Sequence, residues 1–519
     1  MTGKPYRLPE STDAGRLIDR TRPVSFTFDG RKMTGFAGDT LAAAVMANGQ
    51  RLLGRSFKYH RPRGLVGLGA EEPNALVGVG EGERHEPNLR ATQVELYDGM
   101  VAVSQNRWPN LDFDIGAFNN RLSRLCPSGV YYKTFMGPQS VWKSVYEPVI
   151  RHAAGLGTAP TGRDPDTYEQ LHVHCDVLVV GAGVTGLAAA EAAAAAGAKV
   201  IIADENPQFG GIADIAGDKI AGKSPNDWTA ARVQQLAKAD NVHVLARTTV
   251  AGHFHHNFLL LFERVADHDR QMIADGVPRH RLWKVRANQI IVASGAIERP
   301  IAFANNDRPG VMLASAARGL VERYGVAPGL MGVVFANNDD AYRTALSLKR
   351  AGVGVARIID VRQEPDGPLV EAARGAGLEV MSGHAIAGVE TGLGGKAISA
   401  VKAAPYSSGQ GRVINETRIE CDFVAMSGGW NPAVHLWCHN GGKLKFDTDL
   451  QSFVPDRHSD AMHIAGAANG RMSARDCIAE GYAVGENAAR AALPKAKAVR
   501  VKTPKVEQES ETALEPIWF

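Results

Sequence analysis

The segment CDVLVVGAGVTGLAAAEAAAAAGAKVIIADE, residues 175–205, constrains this 519-residue chain more than any other. Val177–Val180 is an unbroken apolar run and predicts a buried parallel strand. Gly181, Gly183 and Gly186 then meet the G-x-G-x-x-G pattern. The first glycine permits the tight turn, the second lets a pyrophosphate approach the backbone, and the third lets helix and strand pack closely. The alanine-rich helix that follows directs its N-terminal N–H groups and dipole at that pyrophosphate. A second strand, Val200–Ala203, ends at Asp204-Glu205, where a carboxylate can accept hydrogen bonds from ribose hydroxyls. Together these pieces predict a βαβ unit that holds a dinucleotide.

Further segments extend this site. Glu205 is followed by Asn206 and then Gly210-Gly211-Ile212, a glycine pair that lets the loop pass close to a cofactor. Thr248-Thr249-Val250 places a backbone group of Val250 at the adenine edge. ANQIIVASGAIERP, residues 287–300, reads as an apolar strand ending in Ser294-Gly295-Ala296. It looks like the strand-turn that crosses beneath the dinucleotide in the glutathione-reductase superfamily. FAD-binding members of that superfamily close the site with Gly-Asp, whereas here Ala467 follows Gly466. A second α/β unit has ANNDDAY after its strand Gly332–Phe335, and Asp339 and Asp340 there would repel a pyrophosphate. One dinucleotide site is therefore expected, filled by NAD, with FAD as the alternative.

The chain divides into several expected parts. Residues 1–110 form a small β-rich domain: Val24, Phe26 and Phe28 alternate with polar residues, and Asp29-Gly30 is a hairpin signal. Asp39 or Thr40 then caps the apolar helix LAAAVMANG. This order looks like the β-grasp of plant-type ferredoxins. Residues 111–170 are an aromatic, proline-punctuated connector with a short helix near Gln139–Arg151. Residues 171–300 plus 406–493 form the dinucleotide-binding domain, 301–405 the second, degenerate α/β domain, and 494–519 a charged linker or tail. The fold class is α/β, of the two-dinucleotide-binding kind.

Composition limits the function. Lys+Arg 58 against Asp+Glu 55 leaves +3, no electrostatic case for nucleic acid or an anionic membrane. The polar N-terminal stretch carries no apolar signal core, and no segment reads as a membrane span, so the cytoplasm is the expected compartment. Five scattered cysteines form no CxxC pair and no zinc-ligand cluster. None precedes Cys126, so no thiolate-held iron–sulfur cluster is expected in the N-terminal domain. His435, Cys438 and His439 invite a metal reading, yet their apolar neighbours suggest a packed helix. Lys58, His60, Arg61 and Arg63 form a basic knot, read either as an anion site or as ion pairs to Glu71 and Glu72. No nucleophile–base set is visible, so no catalytic residue and no metal site is assigned.

With these residues assembled, the chain resembles the alpha subunits of heterotetrameric sarcosine oxidases along almost its whole length. The resemblance is carried by FTFDGRKMTGFAGDTLAAAVMANG, GRSFKYHRPRG, EEPNALV, ATQVELYDG, SQNRWP and YYKTFM. It implies partners: beta, gamma and delta subunits, with FAD and the oxidation of an N-methyl amine on beta and FMN at the alpha–beta interface. It also implies NAD held without turnover at Thr185, Asp204, Glu205, Asn206, Ile212 and Val250, closed by Ala467, Met472 and Ala474. A folate-binding module usual in the family is not expected within these residues. Two other readings stay open: an FAD-binding subunit of an opine or amine dehydrogenase, and a free-standing NADH-dependent flavin reductase. The identity of the N-methyl amine, and oxidase against dehydrogenase, are not legible.

Overall fold

A computed structural model describes residues 6–12, 14–123, 129, 133, 135–406, 415–457, 461–497, 501–507 and 514–517. The chain separates into two compact units, one of residues 1–165, 300–428 and 517–519, the other of 166–299 and 429–516.

In the first unit a five-stranded mixed sheet runs Arg31–Ala37, Asp19–Phe28, Met100–Ser104, Leu76–Val79, Glu86–Arg90. Against it lies the helix Leu41–Ala47, with the Thr40 hydroxyl accepting from the Ala43 N–H at 3.3 Å, so Thr40 is the cap. Asp39 instead takes the fork of Arg7 and the Phe36 N–H. This is the β-grasp expected from the alternation of Val24, Phe26 and Phe28.

The same unit holds a five-stranded parallel sheet, Val311–Leu313, Phe423–Ser427, Met331–Ala336, Gly354–Asp360, Val380–Ser382, and a three-stranded antiparallel one. Here two expected boundaries are corrected. All seven residues of Leu41–Ala47 are buried, and a helix apolar all round needs cover on every face. One core therefore joins it to Leu320, Val321 and Tyr324, and the β-grasp and second α/β part share a unit. Residues 406–428 also belong here, because Thr417–Glu420 and Phe423–Ser427 pair with Ile398–Pro405 and Met331–Ala336.

The expected phosphate-repelling loop of this sheet is filled by its own ion pairs. Asp339 receives Arg362 at 2.7 Å, and Arg362 also holds the fully buried Asp360 at 2.8 Å. The buried Arg318 reaches both oxygens of Asp340, at 3.0 and 3.1 Å. The two aspartates are thus neutralised by arginines rather than left as bare repelling charges. Replacement of Arg362 by Leu removes the cation shared by two buried carboxylates, and chemical denaturation should register a loss of about 3–5 kcal/mol in this unit.

The basic knot also pairs differently from expectation. Arg61 and Arg63 both reach Asp307, Arg61 at 2.8 Å, and His60 reaches Asp114 at 2.7 Å. Glu71 and Glu72 instead organise the loop after it. Glu72, 1% exposed, accepts the N–H groups of Val66, Gly67, Asn74 and Ala75 at 2.6–3.2 Å. Of the connector, Phe135 and Trp142 flank Tyr146, with ring centroids 5.1 and 6.3 Å from it, and Tyr131 and Tyr132 lie outside the described residues. The expected short helix there is a succession of Gln139–Val141, Trp142–Tyr146 and Glu147–Ala153.

The second unit is built on a seven-stranded sheet. Its parallel part runs Val242–Leu245, Val200–Ala203, Tyr168–Val180, His280–Val292, Met462–Ile464. Thr248–Phe254 and Phe258–Arg264 extend it as an antiparallel meander from His280–Val292. The tail is more than a linker: Val506–Glu507 pairs with Lys219–Ile220, and Val506 is 2% exposed. No helix among the described residues is long and apolar enough to cross a membrane.

Burial pushes the Glu72 carboxyl up to about 7 against its four N–H donors. Between its ordinary value and about 7 the folded chain then holds a proton that the unfolded chain has released. The associated stability is present at low pH and declines as pH rises through 7. The first unit should therefore melt at lower temperature at pH 8 than at pH 5. Glu72→Gln should flatten that slope, and should lower the melting temperature at both pH values because an amide nitrogen cannot accept N–H groups.

Candidate dinucleotide site

The expected site residues all fall in the second unit, most of them at the C-terminal ends of its parallel strands, where open α/β sheets bind ligands. The loop Gly181–Gly183 leaves strand Tyr168–Val180 and enters helix Val184–Ala195. Gly181 has φ +94°, and a Cβ there would overlap the carbonyl oxygen of Ala293, just before Ser294. A Cβ at Gly186 would overlap the Gly181 carbonyl. These two glycines serve packing. Gly183 is different: a Cβ there would meet only the Gly211 Cα, at 3.9 Å. It faces a groove walled by backbone, with Gly183 bridged to Gly210.

Gly183 is also the cap residue of its helix, and it supplies no side-chain acceptor to the first-turn N–H groups. Elsewhere in this unit helices Pro225–Ala237 and Ala474–Ala492 are capped by Ser224 and Ser473. An uncapped helix start beside a side-chain-free groove fits a pyrophosphate. The residues present therefore suit an adenine dinucleotide, with the start of helix Val184–Ala195, beside the contact of Gly183 with Gly211, taking its phosphates.

Asp204 plays another part than the expected ribose contact. Its side chain is 9% exposed and accepts the Ala182 N–H at 2.7 Å and the Asn206 N–H at 2.9 Å. It thus ties the end of Val200–Ala203 to the glycine loop. Asn206 also donates its amide to Asp204, at 3.0 Å. Glu205, half-buried, has its carbonyl held by Arg264 at 2.7 Å. Val250 lies two residues beyond Thr248, whose N–H meets the Asp204 carbonyl at 2.7 Å. Ile212 is 46% exposed beside the groove. The Ser294 hydroxyl donates to the Ala433 carbonyl at 2.6 Å, and Gly295 has φ +75°.

The closing segment meets the loop from the far side. Ala467 sits in the turn Gly466–Asn469, and Gly466 abuts Thr185 so closely that a Cβ would overlap its hydroxyl. Met472 and Ala474 are half-buried at the start of helix Ala474–Ala492. Glu480, which the sequence reading missed, fixes this turn through the Gly466 N–H at 2.7 Å and the Asn469 amide at 2.9 Å. Its signal was its spacing: seven residues after Ser473, it faces the same side of the helix. Cys477 donates to the Arg471 carbonyl at 3.0 Å, and burial pushes its thiol up to about 11, so it is no nucleophile. His435, Cys438 and His439 are all exposed, His439 Nδ1 accepts the His253 N–H at 3.2 Å, and Trp437 is the buried residue of their short helix.

Comparison with known proteins agrees with this geometry. A family model described as "FAD dependent oxidoreductase" matches residues 176–259, and one described as "2Fe-2S iron-sulfur cluster binding domain" matches 21–107. Among curated relatives, the sarcosine oxidase subunit alpha of Rhizobium meliloti (strain 1021) is 45% identical over 99% of this chain and 50% of its own length. That of Corynebacterium sp. (strain P-1) is 38% identical over 94% and 45%. L-Proline dehydrogenase from P. horikoshii shares the fold at TM-score 0.59 and 19% identity, over 94% of this chain and 74% of its own.

The fold and site define an α/β subunit of the flavoprotein oxidoreductase class with an N-terminal ferredoxin-like domain. Along nearly its whole length the chain is similar to the alpha subunits of sarcosine oxidase, and it spans about half the length of the curated relatives it matches. These matches correct the cofactor expectation. The dinucleotide segment is of the FAD-dependent type where NAD was expected, and the N-terminal domain is of the cluster-binding type where no cluster was expected. Residues 21–107 contain no cysteine and so offer no thiolate ligands to a cluster.

The glycines should separate by substitution. Gly186→Ala should abolish soluble expression or lower the melting temperature sharply, since the added methyl overlaps backbone. Gly183→Ala should leave the melting temperature of the nucleotide-free chain near wild type but weaken nucleotide retention about tenfold or more, read by titration calorimetry.

Proposed function

We propose that this chain is the alpha-type subunit of a cytoplasmic flavoprotein complex, assembled with beta, gamma and delta subunits. The complex oxidatively demethylates an N-methyl amino acid such as sarcosine. This chain holds an FAD-type dinucleotide in the groove at the start of helix Val184–Ala195 and completes a flavin interface with beta, which carries the amine oxidation. The single observation that carries this reading is the 45% identity to a sarcosine oxidase alpha subunit across 99% of the chain.

Within the chain, Asp204 orients the glycine loop through the Ala182 N–H, Glu480 sets the closing turn, and Glu205 stands at the strand end where a ribose would lie. FAD supplies redox chemistry when bound, and these side chains bind and orient it. Burial holds Cys175, Cys421 and Cys477 as thiols, so they are not a dithiol relay.

The chain purified with its co-expressed partners should oxidise sarcosine with release of formaldehyde, and the chain alone should not. Denaturation of this chain, separated from its partners, should release FAD, identified by mass spectrometry. Oxidation of NADH by the isolated chain would overturn this reading in favour of a free-standing reductase.

A further inference from the structure

The groove is bordered by two arms of chain. One follows Gly210-Gly211-Ile212 through the short helix Ala213–Ala216 to Lys219–Ile220. The other is the start of the closing helix, at Ser473, Ala474 and Arg475. Residues 501–507 touch both. Val506 and Glu507 pair antiparallel with Ile220 and Lys219, and the Ala221 N–H donates to the Lys505 carbonyl at 2.8 Å. From the other arm, the Arg475 guanidinium donates to the Val506 carbonyl at 3.4 Å.

The Val506 side chain anchors this crossing. It is 2% exposed and shares a core with Ile220, 0% exposed, and with Trp228 of the following helix. The backbone pairing covers two residues only. A two-residue ladder has little stability of its own, so the segment opens locally before the sheet does. The strap is thus stable enough to join the arms and weak enough to release them.

We propose that residues 501–507 are a strap that retains the bound dinucleotide by cross-linking the two arms of its groove, and that its local opening sets the rate of nucleotide release. This rests on the reading of the groove as a dinucleotide site. Arg475 and Val506 act on the cofactor through Ala474 and Ile220, as positioning residues rather than contacts.

The test uses the full chain loaded with FAD, followed by rapid dilution and flavin fluorescence, in parallel with hydrogen exchange of the Ala221 amide. Val506→Asp should shorten the half-time of release about tenfold. Arg475→Ala, an exposed helix position that leaves the core intact, should shorten it several-fold and serves if the first variant fails to fold. Both should speed Ala221 exchange in step with release. Unchanged release with faster Ala221 exchange would overturn the strap and leave the groove reading standing. A wild-type chain that takes up no FAD would overturn the groove reading, and the strap with it.

Discussion

The contact on which the second unit depends is the approach of backbone to backbone around helix Val184–Ala195. Gly186 lets the helix lie against its own loop, and Gly481 and Gly485 of the closing helix lie against the carbonyls of Thr185 and Ala189. The matched spacing of four residues on each helix repeats this contact one turn further on. Alanine at most of the other helix positions keeps the side chains short enough for the approach. A larger residue at any of these points would part the helices and move the closing turn off Thr185. The site's shape therefore follows from side chains that are absent.

Where the backbone comes so close, few side chains can reach in, and the polar ones that do belong to the scaffold. Asp204 and Glu480 each use a buried or half-buried carboxylate on backbone N–H groups, one on the glycine loop and one on the closing turn. Each spends its charge on the chain's own amides. The first-turn amides at Gly183 stay uncapped by any side chain, and these suit a phosphate. The division is physically sensible, because an acid left facing the groove would oppose the anion it must admit.

Much of this was legible in the sequence. Apolar runs and glycine spacing located the strand, loop and helix from Val177 to Glu205, and the alternation at Val24–Phe28 located the β-grasp. What escaped was partner choice. Nothing local says that Asp204 turns inward to Ala182, or that Glu480 reaches back to Gly466 across fourteen positions. The apolar helix Leu41–Ala47 did carry a signal: having no polar face, it needed a second layer, which the α/β part supplies. Val506 carried almost none, since one buried valine in a lysine-rich tail has no periodicity to read. The cofactor expectation failed for another reason: Ala467 removes one carboxylate contact, whereas the FAD-dependent family pattern extends over residues 176–259.

The second α/β sheet shows what a nucleotide-binding scaffold becomes when its ligand site is filled from within. Its strand Met331–Ala336 and helix Asp340–Arg350 stand as strand and helix do around a glycine loop. In place of glycine come Asn338, hydrogen-bonded to Ser427 at 3.0 Å, and two aspartates each held by an arginine. Removing a phosphate from such a loop would leave cationic side chains without a partner. Carboxylates from the loop itself meet that need: Asp339 and Asp340 bring the negative charge, and Arg362 ties it to Asp360 on the next strand. The pairing is buried, so it carries a desolvation cost that only complete pairing offsets. That condition also explains why Tyr342 is there, its hydroxyl closing the last open side of Asp360 at 2.7 Å.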